Sequence, residues 1–270
     1  MKLLLLFALF TLSCAQKPIV LMHGIESHAE NLEEMKTWLE TTFNRKVFNI
    51  ELGDGDDYST DTPVYVQIDE LRKVLHDIDE LDNGFDFIGI SQGGLLGRGL
   101  VQKYNSEFCV NNLITLVSPH GGVFIKNLGV FNFYTKKMQS KLSFANYWRD
   151  PTKYVAYLLN SHFLADANNE KPIKNPIYKA NMIGLKNFVM VYSPNDEIVK
   201  PPESGIFSFF DSELKIISLN STELYQQDWL GLKYLTETNR LHMFNTTCSH
   251  VEHRSSICFS QLQPILAQFL

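Results

Sequence analysis

Basic charge is in deficit in this sequence: 24 lysines and arginines face 30 acids, for a formal net charge of −6. That deficit argues against nucleic acid or an anionic membrane surface as the main partner. It leaves uncharged and acylated substrates open. Long apolar runs are missing after the first dozen residues. No later segment therefore reads as a membrane span, which needs about twenty apolar residues. Internal repeats and low-complexity tracts are also missing. Cysteine is scarce, four in 270 residues, but a chain of this length buries a large core without a disulfide framework. No sequence feature calls for a cofactor or a metal.

The beginning of the chain stands apart. Lys2 supplies a positive n-region, and Leu3 to Leu12 form an apolar stretch interrupted only by Thr11. Ser13-Cys14-Ala15 puts small residues before a cut ahead of Gln16. Residues 1–15 are expected to be a removed signal peptide, and residues 16–270 a single domain. Export permits disulfides. Of Cys109, Cys248 and Cys258, the expected pair is Cys248–Cys258, which are close in sequence near the C-terminus. Asn220 and Asn245 open glycosylation sequons, which matter on a eukaryotic secretory route.

Strand and helix signals alternate along the chain. Pro18 to His23, Val47 to Ile50, Asp86 to Ile90, Leu113 to Val117, Phe188 to Tyr192 and Leu241 to Phe244 read as strands. Leu32, Met35, Leu39 and Phe43 recur at helical spacing, as do Ile68, Leu71, Val74, Leu75 and Ile78. Leu95 to Tyr104 and Gln261 to Phe269 read as further helices. The pattern predicts an α/β fold: a mostly parallel sheet with helices on both faces. About 123–185 carries no strand signal and many aromatics, and is expected to be a helical cap insertion.

Gly89-Ile90-Ser91-Gln92-Gly93 fits G-x-S-x-G between a strand and a helix. Glycine flanks the nucleophile there because larger side chains would collide in the sharp turn. The fold's chain order is Ser, then Asp or Glu, then His. Asp196 follows one strand and His250 follows the last. Ser91, Asp196 and His250 thus lie just past carboxyl ends of strands, where sites of open α/β sheets collect. Glu197, His253, His23 and His120 are the rivals. Backbone N–H groups of Gln92 and Ile25 are the expected oxyanion donors.

These residues resemble the palmitoyl-protein thioesterase family. The resemblance runs from Pro18 to the C-terminus. It includes His23-Gly24, Ser91-Gln92-Gly93-Gly94, Tyr147-Trp148-Arg149-Asp150-Pro151, Asn195-Asp196 and Gly231-Leu232-Lys233. It implies the α/β-hydrolase fold and a lysosomal or secreted enzyme that cleaves long-chain fatty acyl thioesters. The implied partners are a fatty-acylated protein, a peptide or coenzyme A. It also implies Ser91, Asp196 and His250 as the triad. The loops His-Gly-Ile-Glu-Ser and Cys-Ser-His depart from one branch of the family. They are closer to a second branch, less suited to bulky acylated proteins. Cys109 resembles a family disulfide cysteine but has no evident partner. Phe124, Phe131 and Trp148 of the cap are expected to contact the acyl chain. The competing readings are a general lipid or carboxyl-ester hydrolase and a catalytically idle lipid-binding protein.

Overall fold

The computed structural model describes residues 16–270; the expected signal peptide, 1–15, lies outside the described residues. Six strands form the main sheet: β1 (Ile19–Met22), β2 (Val47–Ile50), β3 (Phe85–Ile90), β4 (Val110–Leu116), β5 (Asn187–Tyr192) and, after a small hairpin of β6 (Phe209–Phe210) and β7 (Ile216–Ile217), β8 (Leu241–Asn245). Their order is β2-β1-β3-β4-β5-β8, and every neighbouring pair is parallel. All residues of β1 and β3 are buried, as expected for a parallel sheet covered on both faces.

The period of two sorts each strand between two cores. Val20, Met22, Phe85 and Phe87 join one cluster with Ile68, Leu71, Leu95 and Leu100. Ile19, Leu21, Ile88 and Ile90 join the other with Met35, Leu39, Phe259 and Leu262. Helices α1 (Glu33–Phe43), α2 (Asp56–Asp61), α3 (Val64–His76) and α4 (Gln92–Phe108) follow the early strands. The chain leaves β1 towards β2 and returns to β3 on the other side of β1. The loops after β1 and β3 therefore diverge, which opens a crevice at the sheet's carboxyl edge.

Between β4 and β5 the chain inserts five short helices: α5 (Lys136–Gln139), α6 (Ser143–Asn146), α7 (Tyr154–Asn160), α8 (Leu164–Ala167) and α9 (Pro176–Met182). Trp148 is the hub of this insertion, with ring centroids 4.6 Å from Phe133, 5.3 Å from Phe124 and 5.7 Å from Phe144. Polar ties seat it on α4. Arg98 Nη1 donates to Asn168 Oδ1 at 2.8 Å, and Gln102 Nε2 donates to Ala167 O at 2.6 Å.

Later come α10 (Glu223–Gln226), α11 (Leu232–Glu237) and α12 (Ser256–Leu266). Several boundaries differ from the sequence reading. The last helix starts at Ser256 rather than Gln261, because Cys258 and Phe259 extend its buried face upstream. Helix α4 starts directly after Ser91 and runs to Phe108. Strand β4 begins at Val110 and stops before Val117, whose φ of 46° turns the chain out of the sheet. The amino edge of the sheet is locked by a buried ion pair, Arg45 Nη1 to Asp86 Oδ2 at 2.7 Å.

Candidate active site

Strand β3 delivers Ser91 to the crevice with no intervening loop. Ser91 has φ 54° and ψ −125°, and α4 begins at the next residue. A non-glycine residue held there stores roughly 1–3 kcal/mol of strain, a cost that clusters at functional sites. The flanking glycines make the turn possible. A Cβ at Gly89 would lie 2.5 Å from Gly93 backbone, and one at Gly93 would lie 2.3 Å from Met22 O. Neither backbone neighbour can give way.

Asp196 and His250 come together from two further strand ends. His250 Nδ1 lies 2.7 Å from Asp196 Oδ2. Asp196 is buried, and its Oδ1 accepts from Ile198 N and Val199 N, both at 2.8 Å. An ionised carboxylate only accepts, so Nδ1 carries the proton and Nε2 is left as a base. Ser91 and His250 line one cleft of about 200 Å³. Among the described residues no hydrogen bond joins the two. Such bonds are often long before substrate arrives.

The rivals have other work. Glu197 Oε2 accepts from His250 N at 3.0 Å and so fixes the loop that carries the imidazole. His253 is buried, with Nε2 2.8 Å from Thr246 Oγ1 and Nδ1 2.8 Å from Ser249 O, and braces the same loop. The Cys248–Cys258 bond closes the loop covalently, while Cys109 is exposed and has no disulfide partner among the described residues.

His23 holds the opposite wall. Its Nε2 lies 2.8 Å from Glu51 Oε1, and Glu51 Oε2 accepts from Ala29 N at 2.7 Å. Glu51 escaped the sequence reading, though its place just past β2 was a signal. The two contacts pin the loop of residues 23–29, which contains Ile25. Gly24 lets that loop approach Ser91 closely, since a Cβ there would lie 2.9 Å from Ser91 Cβ. The amide of Gln92 opens α4, at the positive end of the helix dipole. Its side chain turns away, donating to Ser59 O at 2.8 Å.

His120 is fully buried, with Nε2 3.0 Å from Thr115 Oγ1 and the ring stacked on Phe207. Burial, reinforced by the nearby Arg98 guanidinium, holds its pKa well below the usual value. Burial also lowers that of His253. A buried neutral histidine contributes stability above its unfolded pKa of about 6.5, which is lost as pH falls below that value. Each such proton steepens the loss by about 1.4 kcal/mol per pH unit. His120→Gln is therefore expected to lose less unfolding free energy than the wild type between pH 7 and pH 5, in urea titrations at both pH values. Equal losses would refute this role for His120.

The cleft's apolar lining comes from Ile25, Leu32, Ile90, Ile198 and Val251. Phe124, Phe131 and Trp148 are not among its lining residues. Phe124 and Trp148 are buried in the cap's own aromatic cluster, and Phe131 is 52% exposed. A larger cavity of about 420 Å³, bordered by Arg149, Tyr154, Phe209, Leu224 and Trp229, shares no lining residue with the Ser91 cleft. Asn220 and Asn245 are both exposed. Among the described residues no helix is long and apolar enough to cross a membrane.

A parallel sheet, a strained serine at its strand-to-helix turn and a helical insertion after β4 define an α/β-hydrolase. Solved structures agree on the fold. A Listeria innocua gene product aligns with a TM-score of 0.52 at 13% identity, covering 94% of this chain and 95% of its own. A Bacillus licheniformis lipase in propeptide form aligns with a TM-score of 0.53 at 15% identity, covering 94% of this chain and 51% of its own. The palmitoyl protein thioesterase family model matches residues 18–250, and the chain belongs to that family. It is 42% identical to palmitoyl-protein thioesterase 3 of Dictyostelium discoideum, over 93% of this chain and 91% of the relative. It is 30% identical to palmitoyl-protein thioesterase 1 of Caenorhabditis elegans, over 92% and 90% respectively. The lysosomal thioesterase PPT2 homolog of Drosophila melanogaster is also 30% identical, over 94% and 93%.

Proposed function

We propose that this chain hydrolyses long-chain fatty acyl thioesters through an acyl-enzyme formed on Ser91. The observation that carries the reading is the 2.7 Å contact from buried Asp196 to His250, which lines the same cleft as a strained serine. His250 Nε2 takes the Ser91 proton as Oγ bonds to the carbonyl carbon. Asp196 fixes the ring and stabilises the imidazolium. Amides of Ile25 and Gln92 hold the oxyanion. The carbon–sulfur bond breaks, and the leaving sulfur takes the proton from His250. Its thiol has a pKa of about 8.5, so it departs more readily than an alkoxide. Water then gives a proton to His250 and its oxygen to the acyl carbon; the bond from that carbon to Ser91 Oγ breaks, Oγ takes the proton back from His250, and the fatty acid leaves.

The apolar lining of the cleft supports an acyl substrate, since burying each methylene contributes about 0.8 kcal/mol. The relatives' names support a thioester and a lysosomal setting. Transport through a lumenal compartment to the lysosome or the exterior also suits the Cys248–Cys258 bond and carbohydrate on Asn220 and Asn245.

Matched thioesters and oxygen esters of several chain lengths, assayed on the purified protein, test the proposal. Thioester turnover that rises with chain length supports it, together with labelling of Ser91 by a fluorophosphonate. Preference for the oxygen ester points to a general ester hydrolase. Absence of labelling points to an idle lipid-binding protein.

A further inference from the structure

The cleft beside Ser91 is chemically two-sided. Ile25, Leu32, Ile90, Ile198 and Val251 are apolar, while Glu26, Ser27 and Arg254 are polar. Arg254 is half-buried, and its hydrogen bond is a long one, from Nη1 to Ser27 Oγ at 3.3 Å. Glu26 lines the same cleft but forms no ion pair with Arg254, and three carboxylates of the surrounding loops are engaged with backbone amides. Glu252 accepts from Ser249 N at 2.7 Å, Glu197 from His250 N at 3.0 Å and Glu34 from Ser256 N at 3.1 Å. Among the described residues no carboxylate forms an ion pair with Arg254. Arg254 thus lines the cleft with most of its guanidinium donors uncommitted.

We infer that Arg254 anchors an anion on the thiol half of the substrate, and so selects thioesters whose sulfur carries a phosphate or a carboxylate. The inference rests on the thioester reading above. A fatty acyl chain bears no charge and has the apolar side of the cleft to lie on. In the bound substrate, before an oxyanion forms, only the thiol half can carry a charge that answers a guanidinium, and the oxyanion has its own amide donors. Arginine's planar fork matches phosphate and carboxylate oxygens, so the charge and its geometry select the same ligand chemistry. Glu26, exposed on the same polar side, repels an anion and confines it to the Arg254 end.

The test is a ratio of kcat/KM values measured on one protein. One pair is palmitoyl-coenzyme A against neutral S-palmitoyl-N-acetylcysteamine. The other is an S-palmitoyl cysteine peptide with a free terminal carboxylate against its amide. Any general disturbance from loss of the Ser27 contact cancels in the ratio. Arg254→Gln is expected to lower the anionic-to-neutral ratio about tenfold in at least one pair. Arg254→Lys should keep part of it, and Glu26→Gln should raise it. Salt should lower the wild-type ratio. An effect on the coenzyme A pair alone identifies phosphate, and one on the peptide pair alone identifies carboxylate. Ratios that are equal in wild type and Arg254→Gln overturn the role of Arg254, and the hydrolase reading survives if Ser91→Ala is inactive. Failure of the wild type to cleave any of the thioesters overturns both.

Discussion

Replacing Ser91 with alanine is expected to lower kcat on a palmitoyl thioester by about 10⁶-fold, the scale seen when a triad serine is removed. Fold stability should change little. Alanine keeps the Cβ and inherits the same left-handed backbone at φ 54°. The thermal midpoint of the variant should therefore match the wild type while fluorophosphonate labelling disappears. Asp196→Asn is expected to cost about 10⁴-fold, because the amide no longer selects the imidazole tautomer with a free Nε2. The double variant should be hardly worse than Ser91→Ala alone, since the two residues act as one unit. Activity that survives in Ser91→Ala would sink the catalytic assignment.

Asp86→Ala is expected to give the largest loss of stability. Asp86 Oδ2 pairs with Arg45, while Oδ1 accepts from Asn111 Nδ2 at 3.0 Å, Asn112 N at 2.9 Å and Asn112 Nδ2 at 2.8 Å. Both members of the pair are almost fully buried. Removing one carboxylate strands a buried guanidinium, a loss of about 3–5 kcal/mol. For a domain of this size the melting midpoint should fall by roughly 10 °C. Lys46→Ala breaks an equally short contact to Glu80, 2.6 Å, but with both groups more than half exposed. It should leave the midpoint almost unmoved. A similar midpoint for Asp86→Ala and wild type would contradict this account of the sheet's amino edge.

Ser91→Ala and Asp86→Ala probe opposite edges of one sheet, and the edges differ in how far the sequence exposes them. Ser91 is legible because its signal is local, with a buried strand, two spaced glycines and a helix within a few residues. Asp196 and His250 are legible because chain order and strand ends can be read without knowing the register. Pairings that depend on register cannot. His23 and Glu51 follow Met22 and Ile50, which are partners across β1 and β2. Arg45, which precedes β2, meets Asp86 of β3 past the residues that open β1, a pairing that the strand order sets. The cap shows a different limit. Its composition announces a dense aromatic segment, but not whether a ring faces a ligand or another ring. Trp148 faces rings. The cleft beside Ser91 takes its apolar lining from Ile198, Val251 and their neighbours, scattered along the chain.

The covalent loop around His250 has a consequence for an enzyme of this chemistry. Each turnover of a thioester liberates a sulfhydryl, on the proposed mechanism beside His250, and sulfhydryls attack disulfides they can reach. Cys248 is 3% exposed and Cys258 is fully enclosed. The clamp is thus walled off from the reductant that the catalyst itself manufactures. Accumulated thiol should therefore leave the loop intact for as long as the protein stays folded.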